Sequence, residues 1–527
     1  LGLIPVVSGS AAILTVTSLA NSGPGSLRNQ VAASAAGDTI QFSITGTINL
    51  LSAINIPHSL VVQGPGPAAL TIDCGNHDRA FITADTVVLS GMTIRNGLAR
   101  GINGPDGGPG QDGLVGTDAE GGAILDTNSP SDCLVLINCW LDSNMAIAGN
   151  GGNGGNNAPN VPMVGNGGPG GLASGGAVEF VGVLTNVDCT FSHNRVIAGN
   201  GGNGGTNLFF ADAGGGAGAV GGDAGGGVMD SPNLASSYNC TFSGNSASGG
   251  AGGAGGGNGP TVTPGPGGHG GGGGRGLGGA STVFFARYFC CTIVSNSAFA
   301  GAAGSGGSGL PPGAGGTAGY GVGGAIYQYT ISCNDDIANT ILADNYADSA
   351  ASNYLAGFAD DGYNFIGSDD YPGCLWTSSV QVGTIASPIH PLLGPLAQNG
   401  GGVPTHATTL TSPVTDQGFS FGITTDERGA PRPYAWGIKE PSGGDGSDIG
   451  AFELGSASLG AAASGNGSGV VLSWPASYGD FTAQFATSLQ GPIAWSDVPD
   501  TPAVVGNQLV VTNYPNDSPT FYRLIVH

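Results

Sequence analysis

The chain has 527 residues, 40% of them apolar, enough for a packed core, and repeat architectures escape the usual size limit by growing in one dimension. Only 9% of residues are charged, against about 25% in ordinary proteins, and the net charge of −24 reflects a scarcity of Arg and Lys (one lysine, Lys439) more than an excess of acids. That balance repels phosphate backbones and excludes nucleic-acid binding; no apolar run approaches the roughly 20 residues of a membrane span, and the 104 glycines lack the strict period of collagen.

The chain starts at Leu1 with no basic leader region, which reads as a mature secreted protein whose signal peptide has been removed. Residues 1–10, LGLIPVVSGS, read as an extended apolar segment. Leu3, Pro5 and Val7 form one face and Ile4 and Val6 the other. Two readings stay open for it: a strand donated to another copy, or a strap over its own first coil. Residues 11–42 read as a cap, with a strand in ILTVTSLA and a short helix in SLRNQVAASAA opened by Ser26.

From 43 to 455 the rhythm is strand, turn, strand, with no helical period. Asn96, Asn144, Asn194, Asn245, Asn296 and Asn345 recur at spacings of 48 to 51 residues, and Cys139, Cys189, Cys240 and Cys291 keep step with them. A fixed period joining a patterned part to a variable insert marks a repeat solenoid. The expected fold is therefore all-β, a right-handed parallel β-helix, with the asparagines stacked as an amide ladder at one bend. In CTFSGN the Cys and Phe point inward and the hydroxyls outward. Nine cysteines are an odd number, which argues against a complete disulfide framework. Ladder neighbours stand close enough to bridge, but mostly free, buried thiols are expected.

Glycine-rich inserts fall near 100–120, 147–175, 197–226, 248–279 and 299–323. Their glycine pairs with a varying third residue suit threefold helices of polyproline-II (polyglycine II) geometry, packed side by side as a second layer. Asp106, Asp112, Asp118 and Glu120 gather in the first insert as weak calcium candidates, since a hard cation wants several oxygens. No cofactor is otherwise expected.

Residues 456–469 read as a small-residue linker, and 470–527 as a small β-sandwich of about five strands. Two strands short of an immunoglobulin-type sandwich, it is expected to leave an exposed groove.

SLRNQVAASAAGDTIQF, CTFSGNSA followed by GGA, and LLGPLAQNGG…THA…TDERGAPRP…DIGAFE resemble, in that order, a group of secreted bacterial right-handed parallel β-helix proteins. The repeat is also similar to that of chlamydial polymorphic outer-membrane proteins. The tail looks like a β-sandwich module of secreted planctomycete and verrucomicrobial proteins. The resemblance covers roughly residues 11 to 454 and implies secretion and a cell-surface or extracellular role. His390 and His406, inside the ending motif, read as structural.

Catalytic signals are thin. Asp335 and Asp336 form an adjacent acidic pair, His269 and Arg275 lie in an insert, and Arg95, Arg195 and Arg287 sit on different rungs. No enzyme is expected. The leading reading is an extracellular structural protein, a cell-surface or filament subunit assembled head to tail into a homopolymer through its ends. The alternatives are an adhesin or carbohydrate-binding protein facing extracellular polysaccharide, and, behind it, a polysaccharide lyase or hydrolase.

Overall fold

The computed structural model describes residues 11–126, 129–259, 263–330, 335–349, 352–370, 375–455, 459–465, 469–479, 481–506, 508–515 and 520–526. The chain divides into two compact units, Leu1–His390 and Pro391–His527. The division falls at 390/391 and not at the expected 456–469 linker. The proposed strand Leu3, Ile4, Pro5, Val6, Val7 lies outside the described residues.

Among its described residues the first unit is all-β apart from one short helix, Leu27–Ala33. Ser26 Oγ accepts the Asn29 amide at 3.3 Å, and Leu27 and Val31, one turn apart, are both buried. That is the N-cap chemistry the sequence announces. Beyond it, long parallel sheets stack repeat on repeat in register: Trp140 pairs with Thr190, Thr190 with Thr241, Thr241 with Thr292, Thr292 with Ile341. Where inserts are absent the step shortens, with Thr39 pairing with Val61 and Ile341 with Phe365. The bare repeat is thus about half the 50-residue period.

Each repeat turns on residues of positive φ, stacked in columns. Gly121, Gly175, Gly226, Gly278 and Gly323 hold φ of 58–62°. At Gly175 a Cβ would stand 2.3 Å from the Val178 carbonyl, so only glycine fits this bend. A second column is Asn138, Asp188, Asn239, Cys290 and Asn339; a third is Ser143, His193, Gly244, Ser295 and Asp344. Short polar side chains tolerate that conformation best, so the turn residues of the sequence fall where the chain must bend.

Inside the stack, Ile, Val, Leu and Phe form one continuous core in which Phe191 and Phe242 stack at 4.9 Å. A second, narrow core of Ala99, Ala146, Ala173, Val196, Ala198, Ala224 and Ala247 lies at the necks of the inserts. It takes in the residue that closes the CWLDSNMA, CTFSHNRV and CTFSGNSA phrases, Ala146, Val196 and Ala247. Thr190, Thr241 and Thr292, expected to face outward into water, are buried. Short hydroxyls stacked rung upon rung at about 4.8 Å are shielded by their equivalents above and below.

The second unit opens on the turn-rich ending. Its TDERGAPRP and DIGAFE segments close around buried ion pairs, Arg432 Nε with Glu453 Oε2 at 2.9 Å and Arg428 Nη2 with Asp426 Oδ2 at 2.7 Å. Arg428 also donates to the Glu453 carbonyl at 2.6 Å and lies over the Phe452 ring. The last strands form a four-stranded sheet (Gly460–Ala463, Val470–Pro475, Gln508–Asn513, Ala503–Val505) and a three-stranded one (Ser496–Asp497, Phe481–Ala486, Phe521–Val526). Among the described residues seven strands are present rather than about five, because Gly460–Ala463, read as linker, pairs with Val470–Ser473 and Ala503–Val505 is separately paired. By this count the module is not two strands short. It packs on the ending segment through Trp474, Phe481, Phe452 and Leu454.

Candidate functional site

The amide ladder exists, with one member displaced. Asn144 Nδ2 donates to Asn194 Oδ1 at 3.0 Å, Asn194 to Asn245 at 3.0 Å, Asn245 to Asn296 at 2.8 Å, and Asn296 to Asn345 at 3.0 Å. Each Oδ1 also accepts the main-chain amide of the preceding asparagine, and each Nδ2 also donates to a carbonyl of a neighbouring rung, as Asn245 does to Phe191. Buried amides are fully matched in this way. Asn345 passes the chain on to Asn353, eight residues later, a member that the 50-residue period could not reveal. Asn96 is outside the ladder. In the strand register it stands level with Ser143, one place early, at φ 55°, and its Nδ2 donates to Asp73. Gly97 takes the ladder place and donates its amide to Asn144 Oδ1.

Cys139, Cys189, Cys240 and Cys291 are buried thiols outside any disulfide, as are Cys74 and Cys290, while Cys133 is a half-buried thiol. They do more than fill space. Cys139, Cys189, Cys240 and Cys291 each donate S–H to the carbonyl two residues back, at 3.1–3.4 Å. Cys189 Sγ accepts the Cys139 amide, and on the last rung the Thr340 hydroxyl takes over both duties. Burial pushes the Cys139 and Cys189 thiols far above their ordinary range, so they are poor nucleophiles.

The inserts form an ordered lattice. Each runs out and back, and glycine amides three residues apart donate to neighbouring runs: Gly151 to Asn200 O and Gly154 to Asn203 O in the next repeat, Gly202 to Gly168 O and Gly205 to Gly165 O in the previous one, all at 2.8–2.9 Å. The three-residue step is that of polyproline II. Facing glycines are obligatory, since a Cβ on Gly253 would stand 1.9 Å from the Gly202 carbonyl oxygen. The third residue of each triplet points outward, and its side chain serves the amide of the equivalent residue one repeat on. Asn150 Oδ1 accepts from Asn200 N, and Asn200 Oδ1 from Ala251 N, both at 2.8 Å. At the tips a short second amide ladder joins Asn157, Asn207 and Asn258.

The calcium candidates belong to this lattice. Asp106, Asp112 and Asp118 each spend one carboxylate oxygen on a main-chain amide of the next insert, Asn153, Asn166 and Leu172 in turn, at 2.6–2.7 Å. They are strung along the run, and among the described residues no group of three or more His, Cys, Asp or Glu side chains converges as a metal site. Glu120 stands apart from them, at the end of the returning run.

The adjacent acids Asp335 and Asp336 point to opposite faces of their strand and do not act as a pair. Asp335 is buried, accepts from Gln328 Nε2 at 2.8 Å, and is pushed up to about 7 by burial. Asp336 pairs outside with Arg287 at 2.8 Å. Arg95 pairs with Asp73 and Arg275 with Asp223, while the Arg195 side chain is exposed. His269 Nδ1 accepts the Ala314 amide, so His269 and Arg275 form no common centre. His406 is buried on the Gly394 carbonyl, and His390 pairs with Asp344.

One cluster escaped the sequence reading. Leu125, Glu179, Asp230, Thr282 and Tyr327 stand in register on five successive parallel strands, on the face turned away from the core. Each is the fifth residue counted from the positive-φ glycine of its restart, GGAIL, GGAVE, GGVMD, GGAST and GGAIY, and that common offset is the signal that could have found it. Tyr329 Oη donates to Asp230 Oδ2 at 2.9 Å, and the Tyr329 ring, 40% exposed, stacks on Phe284 at 5.0 Å. Burial pushes Asp230 up to about 6 and, together with the charge of Asp230, raises Glu179 well above the carboxylate range. Glu179 Oε2 and Thr282 Oγ1 are buried without a hydrogen-bond partner.

These features define an all-β protein of stacked parallel repeats joined by side-chain and main-chain ladders. No protein-family model matches the chain, and no curated protein matches it. Among the described residues no helix is long and apolar enough to cross a membrane.

Proposed function

We propose that this chain is a right-handed parallel β-helix that serves as an extracellular structural protein, a cell-surface or filament subunit without catalysis, associating end to end with copies of itself. One observation carries the reading: from Asn144 to Asn345 the insert-bearing repeats pass hydrogen bonds to one another through the asparagine ladder, the thiol column and the glycine lattice. Such columns lengthen without limit and resist local opening, which serves a stiff rod better than it serves chemistry. The right hand follows from the strong preference of parallel crossovers. End-to-end association is supported by the outermost strands, since Ile13–Val16 and Gln381–Val382 each have one parallel neighbour among the described residues. An open strand edge invites another chain.

Electron microscopy of the protein from its native source tests this. Filaments or a surface layer with an axial repeat of one chain length are expected. Isolated monomers at every concentration would overturn it.

A further inference from the structure

The three-stranded sheet of the C-terminal module ends, among the described residues, on Phe521–Val526, whose one neighbour is Phe481–Ala486. The Val498 amide donates to the Ala483 carbonyl, so Ala483 turns its main-chain groups toward the opposite side of its strand. Leu524 stands directly across from Ala483, and by the alternation of an antiparallel ladder the main-chain groups of Leu524 and Tyr522 face the open edge. The four-stranded sheet is uncovered on the same side. Along one row of its inner face, Trp474, Leu509 and Val504 stand in register; Trp474 is fully buried, Leu509 half-buried and Val504 69% exposed. Asn513, on the strand of Leu509, donates to Tyr522 Oη at 3.1 Å, which sets the open edge beside the uncovered row. Tyr522 and Leu524 are themselves only partly buried against the core.

We propose that this edge takes an extended segment, Gly2–Val7, from a second copy of the chain, added antiparallel like every other pairing of the module. The segment has six residues for the six of Phe521–Val526 and no charged side chain to bury. Pro5 fixes its phase. Proline has no N–H to give a ladder, so at that residue the strand must turn its main chain away from the sheet. Leu3 and Val7 share the phase of Pro5, which leaves Ile4 and Val6 to bond with Tyr522 and Leu524. Residues paired in this way point to one face, so the Ile4 and Val6 side chains turn inward, beside Tyr522 and Leu524 and toward Val504. The same proline closes the new edge to a further strand, so one segment adds and the sheet stops growing. Main-chain bonds supply the affinity and the two inward side chains the specificity. The inference rests on the association of copies proposed above and assigns one of its contacts.

The test is sedimentation velocity of the full chain over a concentration series, with amide hydrogen exchange on the same samples. Wild type should associate, and the Tyr522 and Leu524 amides should become protected as it does. Val6→Pro removes an N–H that the contact needs; it should weaken association about tenfold or more and leave both amides unprotected. Val7→Pro, whose N–H points away from the sheet, should associate within about threefold of wild type. Both substitutions precede the first described strand and alter no residue of the acceptor. A wild type that stays monomeric would overturn the association itself and this contact with it. Three results would overturn the contact and leave the association standing: equal association of Val6→Pro and wild type, equal weakening by both prolines, or Tyr522 and Leu524 amides already fully protected in the dilute monomer.

Discussion

At the scale of single residues, the ladder asparagines are the most constrained side chains in the molecule. Asn245 accepts from two donors and gives to two acceptors, all buried. Replacing it by Ala strands the Asn194 main-chain amide and takes one of two partners from Asn194 Nδ2 and from Asn296 Oδ1. Asn245→Ala should therefore cost about 1–3 kcal/mol in denaturant unfolding, and a loss within 0.5 kcal/mol would show the ladder to be incidental. Five of six ladder positions were legible because burial at a bend forces a fixed residue type at a fixed interval. Asn96 was misread because a local signal, an asparagine near the right interval, cannot show which side of the bend it occupies. Its spacing of 48 was the warning. Cysteine at the neighbouring column reads as an apolar filler in sequence, and its bonds to the carbonyl two residues back and to the amide of the rung before show it to be donor and acceptor, duties that Thr340 takes over on the last rung. The Glu179–Asp230 pair was invisible for a different reason: two carboxylates 51 residues apart meet only through register.

At the scale of elements, the strands were legible from alternation and from Gly, Asn and Asp at the bends, and the cap helix from Ser26. The glycine layer was legible as a threefold packing, since composition without side chains leaves only main-chain bonding to order it. Its outward asparagines and aspartates were not, because their acceptor role depends on which run lies next door. The lattice makes a sharp distinction between neighbouring positions. Gly253→Ala drives a methyl group toward the Gly202 carbonyl and should destabilise by about 1–3 kcal/mol. Ala254→Ser, one residue along on the open side, should change stability by less than about 0.5 kcal/mol. Equal effects in thermal melts would mean the lattice is not close-packed. The strand count of the C-terminal sandwich was underestimated because alanine-rich Gly460–Ala463 has little β-propensity of its own and is held by its partner strand.

At the scale of the whole molecule, several buried carboxyls set a pH dependence. Burial raises Asp230 to about 6 and Asp335 to about 7 in the first unit, and burial together with Glu453 raises Asp448 to about 8 in the second. The native state holds protons that the unfolded chain releases near pH 4, so stability is greatest in mild acid and falls as pH rises through these values. The thermal midpoint should drop between pH 5 and pH 8, and the drop should be smaller in Asp230→Asn; an identical slope in the variant would show that Asp230 titrates normally. The central claim concerns the two layers together: the glycine runs and the parallel strands form one hydrogen-bonded body. Amide hydrogen exchange measures this directly. The account predicts that the amides of Gly202, Gly205, Gly253 and Gly256 exchange as slowly as those of the strand Thr241–Ser243. Exchange of the glycine runs at the rate of an unfolded chain, with the strands still protected, would contradict it.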